Sequence, residues 1–345
     1  MRRLLVLLLV LAVLAGAAAL GLRVLSARPG PLSRTTELVV PHGRLRDVAS
    51  ELQRDRVLPQ GRFEPLLFAV LARLTAHGAP LHAAEFRFPA HVPLAGVLAI
   101  LRHARPVQHE LTIPEGLTAA QIAGLVGRAP ALTGGFVLPA EGAVLPETYD
   151  YELGTSRPVL LARMQAAMQR KLAGIWAGRD PSLPLEGPAQ LLVLASIVER
   201  ETALPAERPL VAEVFLNRLR QGMRLQSDPT VSYGASGGLG SLPRPLTRAD
   251  LMQPSPYNTY VIPGLPPAPI SAPGQAALQA VAHPAQGNLL YFVADGAGGH
   301  AFAASLPEHL HNVARFRAIE AARPGQMPTL DPLRPPPQVP VAPHR

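Results

Sequence analysis

Cysteine is absent from the chain, which excludes disulfides, thiolate catalysis and cysteine-ligated zinc or iron–sulfur centres. Its absence leaves the redox state of the compartment open. Lysine is almost missing too. Lys171 is the only one, so a formal net charge of +8 rests on arginine; with Ala and Pro also abundant, this bias is read as genome composition. No basic run is interleaved with aromatics, which argues against nucleic acid as a partner. A basic surface suits anionic lipid headgroups or an anionic polymer equally well. Aromatics make up only 5% of the residues, so any core is built from Leu, Val and Ala. With 345 residues, 48% of them hydrophobic, the chain can form one large or two medium domains and a tail.

The N-terminus carries a location. Arg2 and Arg3 precede LLVLLLVLAVLAGAAALGL (4–22), an uncharged stretch of bilayer-spanning length. A signal peptide's apolar region is shorter, so an uncleaved anchor is expected, although the small residues at Ala15–Ala19 would offer a cleavage site. The arginine pair places the N-terminus inside and the remaining chain outside, with Arg23 on the far flank weakening the asymmetry.

Beyond SARPGPLSR (26–34), read as a linker, hydrophobic periodicity alternates between types. ELVVPHG (37–43) and AEFRFP (84–89) read as strands; helical faces recur at 45–52, 63–74 and 93–104. HELTIPEG (109–116) reads as a strand and turn before a helix at 118–129. Residues 131–155 are Gly/Pro-rich and read as irregular, with a polar–aromatic cluster at Glu147, Thr148, Tyr149 and Tyr151. Helices are predicted at 159–176, 188–202 and 209–222, the last capped by Gly222. A turn is expected at Asp228-Pro229, a flexible loop around Gly234–Gly240, and a hairpin over 289–305 with its Asp295-Gly296 turn.

The stretch LASIVERET (194–202) holds two glutamates two residues apart. At about 100° per residue, Glu201 falls beside Leu194, Ile197 and Val198, whereas Glu199 lies on the flank. The two cannot share one helical face, so a paired-carboxylate site is not expected within this helix. A carboxyl on an apolar face loses hydration and its pKa rises, which suits a general acid. The competing reading is a solvated or ion-paired glutamate, with Arg208 or Arg218 as partner.

From Leu194 to Gly234 the run LASIVERETALPAERPLVAEVFLNRLRQGMRLQSDPTVSYG strongly resembles the YceG-like (MltG) family of membrane-anchored endolytic murein transglycosylases. Further matches follow in order at LTRADL (246–251), PYNTYVIPGLPPAPISAPG (256–274), AVAHP (280–284) and LYFVADGAGGHAF (290–302). EFRFP (85–89), TIPEG (112–116) and LPETYDY (145–151) agree more loosely. The resemblance implies cleavage between MurNAc and GlcNAc within glycan strands, leaving 1,6-anhydro ends. The glutamate followed by Thr then maps onto Glu201, with Glu199 as its rival. A single carboxyl suffices for such a reaction, because the sugar supplies its own nucleophile where a hydrolase needs a second acid. Asn217, Gln226, Asp228, Tyr257 and Asn258, polar residues in or near the matching motifs, are the expected substrate-binding residues. Each also has a bland reading as turn former, backbone partner or packing residue.

The expected fold is α+β. It comprises a cytoplasmic stub and transmembrane anchor (1–25), a linker (26–34), a small α/β subdomain (35–107) that the resemblance implies is LysM-like, a mixed helical and β domain (108–322) that it implies is catalytic, and a disordered Pro-rich tail (323–345). No cofactor or metal is expected: the histidines His283, His300, His309 and His311 lack ligand spacing, and Gly296, Gly298 and Gly299 do not open a helix. Expected partners are glycan strands, the membrane and cell-wall synthases (penicillin-binding proteins), at the inner membrane in a single pass with the catalytic domain extracytoplasmic or periplasmic. A wall-binding scaffold without activity and a hydrolytic muramidase are the alternatives. Aminodeoxychorismate lyase chemistry is set aside, because Lys171 lies among Arg163, Gln165 and Arg170 on a polar helix face and makes a poor Schiff-base residue.

Overall fold

A computed structural model describes residues 2–76 and 78–322; the expected tail at 323–345 lies outside the described residues. The first element, α1 (Arg2–Ala27), has a mean hydropathy of 2.8 with none of its apolar window buried. Its 26 residues give about 39 Å at 1.5 Å per residue, enough to cross a bilayer core of roughly 30 Å. The helix runs on into the stretch expected as linker, and Leu22 packs against the core of the domain that follows. The next residues are also held: the Gly30 N–H donates to His91 O (3.2 Å) and the His91 N–H to Leu32 O (2.8 Å).

Chain contacts divide the protein into two compact units: Met1–Glu110 with Pro130–Leu132 and Asp150–Thr155, and the remainder. In the first unit β1 (Thr36–Val39) pairs antiparallel with β2 (Glu85–Phe88), setting Glu37 opposite Arg87 in an ion pair of 2.7 Å. Strand alternation turns Phe86 and Phe88 inward, both 0% exposed. Helices α2 (Leu45–Arg54), α3 (Glu64–Leu74) and α4 (Leu94–His103) close this core with Ala49, Leu52, Phe68, Val97 and Leu101.

Strand β3 (Gln108–Thr112) pairs with β4 (Thr148–Glu152), a ribbon with residues in both units. The irregular reading of 131–155 missed β4. Its burial alternates, with Tyr149 and Tyr151 inside, but tyrosines among acids give no apolar contrast on which a period of two registers.

The second unit continues with α5 (Ala119–Arg128), opened by a capping box of Thr118 and Gln121, and α6 (Arg157–Ala177). Then come α7 (Pro188–Glu201), α8 (Arg208–Arg220), α9 (Asp228–Ala235), α10 (Arg248–Met252) and α11 (Gln275–Ala282). The hairpin of β5 (Tyr291–Ala294) and β6 (His300–Ala303) precedes α12 (Leu306–Ala321). Helix α8 ends in a Schellman motif: Gly222 is left-handed at φ 66°, and Met223 and Gly222 donate to Arg218 O (2.8 Å) and Leu219 O (3.1 Å). At Asp228-Pro229 the structure has a helix start in place of the expected turn. Proline in the first turn has no N–H to leave unpaired there.

Helix α7 is the axis of this unit. Leu191, Leu194, Ala195, Ile197 and Val198 are each 0% exposed, packed among Val211, Phe215 and Leu216 of α8 and Ala277, Leu278 and Val281 of α11. Ser196 is equally buried but satisfied: its Oγ donates to Val193 O (2.7 Å) and accepts from the Ile270 N–H (3.0 Å), pinning the 270–271 segment to the helix. Because this axis carries both glutamates, Leu194→Ala should cost about 2–5 kcal/mol of stability, measured by urea denaturation of the detergent-solubilised chain.

Candidate active site

The last turn of α7 places Glu199 and Glu201 in different surroundings. Glu199 is committed to the framework: its Oε1 accepts from Arg208 (3.1 Å) and its Oε2 from the Gly274 N–H (3.0 Å). Arg208 also reaches Glu115 at 3.5 Å. Burial raises the Glu199 pKa, while Gly274 and Arg208 pull it back.

Glu201 has no such ion pair. Among the described residues its one hydrogen bond is from the Ser227 hydroxyl to Oε1. The residue keeps partial solvent exposure, yet its carboxyl is surrounded by protein, and this burial pushes its pKa up to about 7. The Ser227 bond opposes the shift, the Asp228 charge adds to it, and Arg218 and Arg200 oppose it again. The negative pole of α7 works in the same direction as burial, since Glu201 is its last residue.

Ser227 is presented by a strained and fully bonded segment. Gln226 is left-handed at φ 53°, a conformation that costs a non-glycine residue on the order of 1–3 kcal/mol. The Gln226 N–H donates to Thr259 O (3.1 Å) and the Ser227 N–H to Thr259 Oγ1 (2.9 Å). Thr230 completes the web by donating to Ser227 O (2.6 Å). Ser227 stands at the N-cap of α9, but its hydroxyl does not cap the helix; it serves Glu201. Buried Arg218 fixes the approach, with Nη1 donating to Leu225 O and Nε to Leu290 O, both at 2.7 Å.

Asp228 lies near enough to Glu201 to raise its pKa, and its Oδ1 accepts the Tyr260 hydroxyl at 2.6 Å. Desolvation raises the Asp228 pKa and, with the Asp228 charge, the Tyr260 phenol as well. Of the five residues predicted to bind substrate, Asp228 stands near Glu201, and Gln226 contributes its backbone to the segment that carries Ser227. Tyr257 stacks obliquely on Tyr233, ring centroids 4.8 Å apart, and Tyr233 donates to Glu141 (3.1 Å).

The other two serve the framework. Asn217 donates to Gly287 O (3.2 Å) and Leu289 O (3.0 Å) and accepts from Arg220 (2.8 Å). Asn258, 1% exposed, donates to Leu251 O (3.0 Å) and Gln253 O (2.9 Å), and its Oδ1 accepts the Tyr260 N–H (2.9 Å). It has no open face for a ligand but holds the residue that bonds Asp228. Thr202, the hydroxyl residue after Glu201, donates to Glu207 (2.8 Å), which also bonds His300 Nδ1 (2.7 Å). The loop expected around Gly234–Gly240 is tied down by Arg200, which donates to Gly240 O (3.2 Å).

Sequence reading missed Ser227 and Tyr260, and offered Arg218 as an ion-pair partner of a glutamate where the structure bonds it to backbone carbonyls. Ser227 before Asp-Pro reads as an ordinary N-cap, and nothing local shows that its hydroxyl is spent elsewhere. Among the described residues no group of three or more acidic or histidine side chains is placed to hold a metal ion.

The YceG-like family model matches residues 38–315. The chain belongs to the YceG-like family. A protein named endolytic murein transglycosylase from Streptococcus pneumoniae (serotype 2, strain D39) is 32% identical over 251 residues, 61% of this chain and 45% of that protein. A Bacillus subtilis (strain 168) protein of the same name is 42% identical over 120 residues, 35% of this chain and 32% of that one. The chain therefore spans about half or less of the length of the curated relatives it matches. A crystal structure of a yceG-like protein from Listeria monocytogenes is 26% identical, with a TM-score of 0.49, covering 81% of this chain and 99% of that one. The family match takes in Glu199, Glu201 and the whole Ser227–Tyr260 web.

Two outcomes follow from the Glu201 environment. The native state holds the Glu201 proton up to about pH 7, whereas an ordinary glutamate releases it near 4.5. The stability of neutral burial is therefore complete below pH 4.5 and lost as pH rises through 7. Glu201→Gln should gain on the wild type across that window, by at most about 3 kcal/mol, read from denaturation at pH 4.5 and 8. Ser227→Ala removes the bond that favours the carboxylate and should move the Glu201 pKa further up, read by carbon NMR of the labelled side chain.

Proposed function

We propose that this chain is an endolytic murein transglycosylase that cuts MurNAc–GlcNAc bonds within peptidoglycan glycan strands and leaves 1,6-anhydro-MurNAc ends, terminating or trimming strand growth. Family membership supports this reading, as do relatives bearing that name. The observation that carries it is Glu201, whose enclosed carboxyl, with a pKa of about 7, exists in both protonation states near neutrality.

In this mechanism protonated Glu201 donates to the glycosidic oxygen as the bond to C1 of MurNAc breaks. The resulting carboxylate takes the proton of the C6 hydroxyl, whose oxygen bonds to C1 and closes the anhydro ring. The proton returns to Glu201 and no water is consumed. With Ser227 bonded to Oε1, the other carboxyl oxygen is left to carry the proton. Asp228, oriented by Tyr260, provides negative charge beside the oxocarbenium-like transition state.

α1 is the membrane anchor in this reading, in a single pass at the inner membrane, with everything after it extracytoplasmic or periplasmic. The substrate is glycan close to the bilayer, and cell-wall synthases are its expected neighbours. Residues 35–107 are taken as the LysM-like subdomain and 108–322 as the catalytic domain.

Asp228 gives hydrolysis some support as a second reading, since a hydrolase uses two carboxyl groups flanking the bond. Product analysis separates the two. Mass spectrometry of digested, uncrosslinked glycan should show anhydro ends for the wild type and none for Glu201→Gln; reducing MurNAc ends would mark a muramidase. Glu199→Gln, which strips Arg208 of a partner, should lose stability while still yielding anhydro ends from its folded fraction.

A further inference from the structure

The second unit has an open surface groove of about 450 Å³ that the proposed chemistry does not use. Leu145, Ala167 and Ile175 form its apolar floor; Glu147, Arg170, Lys171 and Gln279 surround them with polar groups. The single lysine of the chain therefore faces this groove. Its Nζ donates to Gln275 Oε1 at 2.7 Å and keeps two further donors. Among the described residues neither Arg170 nor Glu147 is in an ion pair. Two cations and one carboxylate thus line one open groove of mixed polar and apolar character, with no ion pair between them among the described residues.

Gly174 completes the lining. It lies inside α6, where glycine is less favourable than alanine, and a Cβ there would meet nothing within 4 Å. Its φ is not in the left-handed range. Neither packing nor backbone geometry calls for glycine at this position. Open volume does.

We propose that this groove binds the peptide portion of the substrate, a short peptide bearing carboxylates and a free amine. Arg170 and Lys171 take the carboxylates through charge-assisted bonds, Glu147 takes the ammonium group, and the floor accepts small aliphatic side chains. Gln279 offers both an amide donor and an acceptor to the peptide backbone. This assignment rests on the peptidoglycan reading, since such peptides hang from its glycan strands. It would make a strand recognised at its stems as well as cut at its sugars.

The test uses the full chain in detergent micelles and the synthetic tetrapeptide L-alanyl-γ-D-glutamyl-diaminopimelyl-D-alanine, titrated by calorimetry. Wild type should bind it, and Gly174→Leu, which fills the groove, and Arg170→Glu, which reverses a charge, should each weaken binding about tenfold or more. On stem-bearing glycan both variants should raise KM about tenfold with kcat unchanged, while glycan stripped of peptides is cleaved as by wild type. No heat with wild type, or equal losses on both substrates, would overturn the proposal. Peptide binding by a wild-type protein that cleaves neither substrate would sink the transglycosylase reading and leave the groove assignment standing.

Discussion

The second unit turns on one carboxyl group, at the end of α7, whose protonation is balanced near pH 7. α7 is buried from Val193 to Val198, and the Glu201 carboxyl at its end is enclosed by protein and meets the wrong pole of the helix. A fully buried anion would be expensive; a cation beside it would hold it ionised. The structure takes neither course. It gives Glu201 one neutral donor, keeps the nearest full cations occupied with backbone carbonyls, and sends the ion pair to Glu199 instead.

That arrangement explains the density of bonds around residues 225–230 and 258–260. A single hydroxyl can tune a carboxyl only if it cannot wander, and Ser227 is fixed through its own N–H, its own carbonyl and the strained residue before it. Thr230 and Thr259 bond each other as well as Ser227. Asn258 extends the same logic to Tyr260, and through Tyr260 to Asp228. Residues that never meet solvent thereby decide where the two polar groups beside Glu201 stand.

Much of the fold was legible because its signals are local. The apolar run of α1, the stripe of α7, the alternation of Glu85–Phe88 and the Asp-Gly turn of the last hairpin each lie within a few residues of one another. The helical wheel also separated Glu199 from Glu201, and the structure gives them unlike partners. What escaped is non-local or masked. β4 hides its alternation behind tyrosines, α9 begins at a dipeptide that elsewhere makes a turn, and the Ser227–Glu201 bond joins residues 26 positions apart. Asn217 and Asn258 illustrate the converse. A polar residue in a matching motif looks like a ligand contact until its amide is found saturated by backbone carbonyls.

The junction after α1 has a mechanical meaning. Were residues 26–34 a free leash, the first unit could roam about the end of α1. Leu22 instead joins that unit's core, and Gly30 and Leu32 are stitched to His91, so helix and unit turn as one piece. Under the proposed anchoring of α1 in a membrane, the first unit has a fixed heading and altitude. Its reach is set by how the helix tilts rather than by the length of chain that follows it.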